Sequence, residues 1–478
     1  MRHPLQQARA RWIVAAYVAL GACWVGASRG LVPPIIAAAY EGRSLSVLNR
    51  FFRGRTPHPV EHYFELWEAF SGAVLLALAL HLAVVLVVGL SGIGVRTGRR
   101  LIAFAAAFLT ATVLSGPRHD YVADLEIWDA VLRGFDPWWL VPGRGTPLNA
   151  YGPLFNALAA PDWANPMAPK LLFASAYVAF VIWLAASPGA RRGADELPRS
   201  GLIAWMLNPL PWVEIAWFGH FDILVAVACV AAVRGRALGR DFSSGASLAA
   251  GILLKYIPLV ILPFLALDGR RPRVRLVLTS AFLVAFGLTV SVWIWGPSTF
   301  RPLTFASTRG SNLLSIFRFL RGAYSPLRLL GAAPDVDFLA LPCLAVAGAS
   351  AFAWCWWRRV DPATSALLAV LTTLLFYRVG FLQYQMVPFL LASYWAVSPE
   401  RPSGRSAFLS ASMAIYFGWL ALFDVYYASF GGVVHPGDPW AWVDDVVGLP
   451  AFLAGSALII ALIRHPAGRG RPSGDSIR

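Results

Sequence analysis

Apolar runs as long as a bilayer core is thick recur along this chain, and few architectures tolerate that. Inside hydrocarbon each backbone N–H and C=O must be satisfied by the protein, so only helices and closed barrels span. The runs are about 20 residues long, which suits a helix crossing a core of ~30 Å. They lack the two-residue alternation of barrel strands. Charged residues make up 14% of the chain and hydrophobic residues 58%, where a soluble domain carries about 25% charged residues. The expected class is therefore all-α: a polytopic membrane protein forming one domain over residues 1–478, with about 12 transmembrane helices plus a re-entrant hairpin. The formal net charge is +15. The Arg residues behind it sit in short loops between spans, so they set orientation rather than bind nucleic acid. Cys23, Cys229, Cys343 and Cys355 lie in apolar runs without metal-ligand spacing.

Spans are expected at about 12–28, 70–90, 101–117, 170–187, 201–218 and 221–233, then 276–295, 337–357, 363–378, 384–398, 406–427 and 443–463. Basic loops alternate between them: Arg2/Arg9/Arg11, Arg96/Arg99/Arg100, Arg191/Arg192/Arg199, Arg234/Arg236/Arg240, Arg358/Arg359 and Arg401/Arg405. By the positive-inside rule both termini, including a tail over 464–478, are cytoplasmic and the chain belongs to a cell membrane. Residues 118–169 then face outward. One segment breaks the alternation. Residues 245–267 are long enough to cross, yet Arg234/Arg236/Arg240 precede them and Arg270/Arg271/Arg273/Arg275 follow. A re-entrant hairpin broken near Lys255-Tyr256-Ile257-Pro258 keeps both clusters on one side. Pro258 supplies the break, since proline lacks an N–H and disfavours helix before it.

The outward segment is polar, acidic and aromatic: Asp120-Tyr121-Val122-Ala123-Asp124-Leu125-Glu126, then Asp129 and Asp136. Carboxylates beside an apolar core are costly enough to suggest use. On a helix Asp120 and Asp124 share a face, whereas Asp124 and Glu126 do not; on a loop or helix start those two bracket one site. One would act as general base while the other orients it or helps hold a divalent cation, Mg or Mn. The plainer reading is a solvated surface helix. Lys255 in the apolar hairpin meets an anionic phosphate, snorkels toward the interface, or pairs with a membrane carboxylate such as Glu214. The run Leu207-Asn208-Pro209-Leu210-Pro211 argues for a broken helix, and Gly219-His220-Phe221-Asp222 for a tight turn presenting His220 and Asp222. Ser307 to Asn312, with Arg309, and Tyr377-Arg378-Val379-Gly380 followed by Gln383-Tyr384-Gln385 complete the candidates. Either arginine is a phosphate ligand or a headgroup anchor.

Taken in order, several of these motifs resemble the GT-C class of integral-membrane glycosyltransferases. The closest likeness is to the catalytic subunit of the GPI-anchor mannosyltransferase and to bacterial polyprenyl-phosphate-mannose-dependent mannosyltransferases. The residues that carry it are Asp124-Leu125-Glu126, Gly134-Phe135-Asp136-Pro137-Trp138, Tyr151-Gly152-Pro153-Leu154, Leu207-Asn208-Pro209-Leu210-Pro211, Leu254-Lys255-Tyr256-Ile257-Pro258 and Gln383-Tyr384-Gln385. This chain has Asp124-x-Glu126 where the family carries Asp-x-Asp, and two further spans precede the one that leads into that loop.

The resemblance implies an inverting hexosyltransferase, with mannose the foremost sugar. It would move the hexose from a polyprenyl-phosphate donor to a lipid or glycan acceptor at the outer face, among membrane lipids. Asp124 and Glu126 would be catalytic, while Asp120, Tyr151, His220, Asp222, Lys255, Arg309, Asn312 and Gln383 would bind substrate. The alternative class is a transporter or flippase of a lipid-linked or anionic solute, with Lys255 and Glu214 as its intramembrane charges. A transporter is expected to show paired repeats, and the chain shows none.

Overall fold

The computed structural model describes scattered positions between 14 and 30, then residues 32–41, 59–84, 97–117, 120–139, 149–186, 207–268, 271–322, 336–397, 407–428 and 448–464. The N-terminal span, the start of the 201–218 span, residues 140–148 of the outward segment and the 464–478 tail fall largely or wholly outside the described residues. Helices account for nearly all of the described architecture: α1 Val32–Glu41, α2 Val60–Val84, α3 Thr97–Ser115, α4 Asp120–Leu132, α5 Ala168–Ala186, α6 Asp222–Ala237, α7 Asp241–Leu254, α8 Val274–Trp295, α9 Ala340–Arg358, α10 Pro362–Phe376, α11 Met386–Val397, α12 Ala407–Tyr426 and α13 Gly448–Arg464. Among the described residues, four helical stretches are long and apolar enough to cross a membrane: Gly98–Ser115, Ala168–Ala186, Val274–Phe305 and Asp337–Arg358. Shorter apolar helices include Asp241–Leu254, Ile257–Ala266, Pro362–Phe376, Ser412–Val425 and Gly448–Arg464. The all-α membrane class stands, and these four stretches fall on the expected spans at about 101–117, 170–187, 276–295 and 337–357.

The chain forms two compact units. The first comprises Met1–Tyr121, Tyr177–Gly219 and Ala421–Ala441. There α3 packs its aromatic face, Phe104 and Phe108, against Tyr177 and Trp212; the Phe108 centroid lies 5.0 Å from both. The expected helix over 201–218 is broken. Past Leu207 the chain makes a one-turn helix Pro209–Pro211 and then a π-helix Trp212–Trp217. Pro209 and Pro211 cannot donate to a regular ladder, and the Asn208 side chain caps the restart by accepting the Leu210 N–H at 2.9 Å. The π turn leaves a carbonyl for the Ser115 hydroxyl, which donates to Ala216 O at 2.5 Å. Gly219 ends the segment at φ +75, with the Tyr121 ring where a Cβ would stand.

The second unit comprises Val122–Ala176, His220–Leu420 and Trp442–Arg478. Its centre is a reversal of the chain. Helix α6 runs one way and α7 returns. A 3-10 turn, Ile257–Ile261, and a short helix, Leu262–Ala266, then lead back again. Polar bonds fix both ends. At one end Arg236, on the last turn of α6, donates to Leu265 O at 3.1 Å and to Leu267 O at 3.4 Å, and Arg273 pairs with Asp241 at 3.6 Å. At the other end Lys255 meets Asp222, the first residue of α6. Residues 241–266 are thus a hairpin whose arms start and finish at the same level. Pro258 explains the tip. Its ring excludes a helical partner for Leu254 C=O, and that carbonyl is taken instead by Gly152 N–H at 3.0 Å. Two small ladders close the unit: β1 Leu267–Asp268 with β2 Arg271–Pro272, antiparallel, and β3 Asn312–Leu313 with β4 Val379–Gly380, parallel.

Candidate functional site

The hairpin tip is where the predicted motifs meet. Lys255 Nζ donates to Asp222 Oδ1 at 2.7 Å. Its side chain is 7% exposed and that of Asp222 1%. Three aromatic faces surround the ammonium: Tyr384 at 4.2 Å, Tyr151 at 5.3 Å and Phe221 at 5.3 Å. Tyr151, Phe155 and Phe221 form a ring triangle with centroids 4.6 Å apart on each side. A buried ion pair with π-faces on its open sides is largely compensated, because rings present negative charge to cations. Glu214 stands in the first unit, buried in the π turn beside Asp424, and the carboxylate that Lys255 meets is Asp222.

Tyr151 is held from several directions. Asn149 Oδ1 accepts its N–H at 2.7 Å, while Asn149 Nδ2 donates to Asn156 Oδ1 at 2.9 Å. Trp138 Nε1 donates to Tyr151 O at 3.1 Å. The Trp138 turn is in turn fixed by Asp136, whose Oδ1 accepts Trp138 N–H at 2.9 Å, and by Arg301, which donates to Trp138 O at 2.8 Å. Beside Tyr151, Gly152 has no alternative: a Cβ there would collide with the carbonyl of Leu253. Asn149, Asn156 and Arg301 were not singled out in the sequence. The Asn149-x-Tyr151 spacing of an Asx turn was the available signal for the first; Arg301 has none, since it acts across more than 160 residues.

Helix α4 carries the acidic cluster, and its faces sort the candidates. Asp124 is buried along with Tyr121, Ile127 and Trp128, whereas Asp120, Glu126 and Asp129 are exposed. Two residues along a helix turn about 200°, so Asp124 and Glu126 point to opposite sides and do not fit a shared divalent cation. Asp129 pairs with Arg133 at 2.9 Å on the exposed side. The buried side leads to the site. Trp128, one turn beyond Asp124 on the same face, donates its indole N–H to Phe155 O at 3.2 Å and packs on that ring at 5.2 Å.

Across the Tyr384 ring lies a second cation. Arg309 rests on Phe305 at 4.6 Å and on Phe381 at 5.0 Å, and the Phe381 and Tyr384 rings meet edge to face at 5.8 Å. Among the described residues Arg309 forms no ion pair. The β3–β4 ladder brings it to Arg378: Asn312 N–H donates to Arg378 O at 3.1 Å, and Asn312 Oδ1 accepts Gly380 N–H at 3.0 Å. The Asn312 side chain is therefore occupied as a clamp. Leu313 carries a strained φ of 39° in that loop, and Gly380 is required because a Cβ would sit 2.6 Å from Ser315 N. Gln383 is buried in the turn that presents Tyr384, Gln385 accepts from Tyr416 OH at 2.7 Å, and His220 is buried beside Phe221.

Residues 149–377 match the model of glycosyltransferase family 87. No curated protein and no solved structure matches the chain. The matched region covers Tyr151, His220, Asp222, Lys255, Arg309 and Asn312, and leaves Asp124, Glu126 and Gln383 outside. With the apolar helices, this match supports a membrane glycosyltransferase.

Proposed function

We propose that this glycosyltransferase takes a hexose, mannose foremost, from a polyprenyl-phosphate sugar and places it on a lipid or glycan acceptor. The observation that carries the reading is the convergence on one end of the second unit. Tyr151, Asp222, Lys255 and Tyr384 meet there, and α4 docks its Asp124-bearing face on the same Tyr151–Phe155 turn through Trp128. An aromatic, cation-bearing end suits a sugar ring and its leaving phosphate, since rings stack on sugar faces and cations stabilise the departing charge.

Asp124 is the group in this reading that accepts the acceptor hydroxyl proton. The acceptor oxygen attacks the anomeric carbon, the bond to the phosphate oxygen breaks, and the configuration inverts. Glu126, on the far face of α4, takes no direct part. Lys255, held at the tip by Asp222, is the cation in this reading that faces the donor phosphate. Arg309 brings the charge that Lys255, already balanced, does not.

The arrangement of charge supports an outward orientation for this end. Arg236, Arg273 and Arg359 belong to the opposite end, where Leu265, Leu267 and Asp241 lie, and basic ends stay cytoplasmic. The hairpin then enters and leaves from the cytoplasmic face with Lys255 at its tip. The test is release of polyprenyl phosphate by purified protein given polyprenyl-phosphate-linked mannose, glucose or arabinose with membrane acceptors. Turnover with one of them, lost in Asp124→Asn, supports the assignment; no release with any donor refutes it.

A further inference from the structure

The short helix Arg301–Thr308 joins two sides of the Lys255 site, and no step of the proposed transfer uses it. Pro302 in its first turn suits a helix start. Its 8 residues rise about 12 Å. An arginine stands at each end. At the start, Arg301 donates to Trp138 O at 2.8 Å and faces the Asp136 carboxylate at 3.8 Å. Just past the end, Arg309 rests on Phe305 of the same helix and on Phe381 at 5.0 Å. Both ends lead to the same ammonium. From Arg301 the path runs through Trp138, whose indole N–H holds Tyr151 O, to the Tyr151 ring 5.3 Å from Lys255 Nζ. From Arg309 it runs through Phe381 to the Tyr384 ring, 4.2 Å from the same Nζ. The contacts close a circuit.

The links of that circuit are fixed in different ways. Trp138 is fully buried and meets Trp295, the last residue of α8, edge to face at 5.5 Å. Tyr151 is held by Asn149 as well as by Trp138. The side chain of Arg301 is 41% exposed and that of Asp136 33%, so polar bonds rather than burial hold this link. An exposed ion pair adds little to folding. What depends on Arg301 is therefore where the joined elements stand, not whether they form. We infer that Arg301 is a positioning residue for the donor: by tying its helix to the Trp138 turn, it sets the distance from Lys255 to Arg309. The inference rests on the reading that these two cations face the donor phosphate. Two groups that hold one phosphate need a fixed separation, and a misplacement of about 1 Å can cost on the order of 10²-fold. Asp124 is outside the circuit, since α4 docks through Trp128 on Phe155. Loss of Arg301 should thus fall on donor binding and spare proton removal.

The experiment uses the full chain in nanodiscs: wild type, R301Q, R309Q, the double variant R301Q/R309Q, and R133Q as a charge-matched control on the exposed side of α4. Binding of polyprenyl phosphate, the leaving lipid, is titrated without any sugar transfer, and Tm is read on the same samples. R301Q is expected to weaken binding on the order of tenfold, a part of what such a misplacement can cost, with Tm little changed and R133Q like wild type. In steady state with the polyprenyl-phosphate sugar, the donor KM should rise with kcat within about threefold. The double variant decides between placement and mere bonding. Once Arg309 is gone there is no distance left to set, so R301Q should cost little more in that background. Additive losses, an equal loss in R133Q, or a loss that tracks a large fall in Tm would each overturn the inference. Wild type that binds the lipid, with R301Q binding equally well, overturns this inference alone. Wild type that binds no polyprenyl phosphate overturns the donor reading and this inference with it.

Discussion

Replacing Lys255 by methionine keeps the length of the side chain and deletes its charge, which isolates the ion pair at the hairpin tip. In the native protein Asp222 has 1% of its side chain exposed and its carboxylate 2.7 Å from Lys255 Nζ. Lys255→Met strands that carboxylate, and removing one partner of a buried pair costs ~3–5 kcal/mol. Losing the ammonium from the Tyr384, Tyr151 and Phe221 faces costs a further ~0.5–2 kcal/mol. The double variant Lys255→Met/Asp222→Asn removes both charges and should recover at least ~2 kcal/mol of that loss, because no bare carboxylate remains. Thermal or denaturant unfolding of the four proteins in nanodiscs measures the coupling. Additive single effects would refute the claim that the pair locks the tip. The double variant also separates structure from chemistry: if Lys255 serves the donor phosphate, the restabilised protein should still turn over poorly, with a raised KM for the lipid donor.

Asp124→Asn should leave folding and donor binding intact and lower kcat at least ~10²-fold, the usual contribution of a general base; Glu126→Gln, on the exposed face, should leave kcat within about threefold by the same measure. Gly152→Ala should destabilise the protein by ~1–3 kcal/mol, as overpacking does, because its Cβ meets the carbonyl of Leu253; a Tm equal to wild type would show that the loop yields freely. Arg309→Gln should raise donor KM more than it lowers kcat, with little change in Tm, since the side chain forms no ion pair among the described residues. In a background free of Cys23, Cys229, Cys343 and Cys355, a cysteine at Ala164 should react with an impermeant maleimide from outside intact cells; reaction only from the cytoplasmic side would reverse the proposed orientation.

The hairpin was legible in the sequence because it follows from two local rules, charge on both flanks and a proline four residues past Leu254. The faces of α4 were legible for the same reason: once Asp124 and Glu126 lie on one helix, the turn per residue separates them. Pairing was not legible. Lys255 had Glu214 as a plausible partner by composition, and only the return of α7 to the start of α6 brings Asp222 to it. Asn312 read as a ligand because it stands in a polar loop, yet its carbonyl closes a parallel ladder two residues long. Such a short pairing between distant segments leaves no periodicity to find. Arg301 was invisible for a related reason, since it serves one carbonyl, that of Trp138, from a helix start with no motif around it.

The level at which Lys255 stands is set by lengths rather than by the site itself. Helix α6 has 16 residues and α7 has 14, so at 1.5 Å per residue they rise about 24 and 21 Å. The three-residue turn between them, Leu238–Arg240, makes up the difference and returns Lys255 to the level of Asp222. Arg236, buried at the base, performs for the exit arm what Lys255 performs for the tip, except that its charge is met by two carbonyls instead of a carboxylate. The hairpin is therefore bonded by polar groups at its ends and by apolar packing along its sides. Gly245 and Gly251 allow the close approach of α8 and Pro258 there. A segment fixed in this way cannot slide without breaking both ends at once. A cation at its tip can consequently be held within hydrogen-bond distance of one carboxylate, in surroundings where an unfixed lysine would turn away toward water.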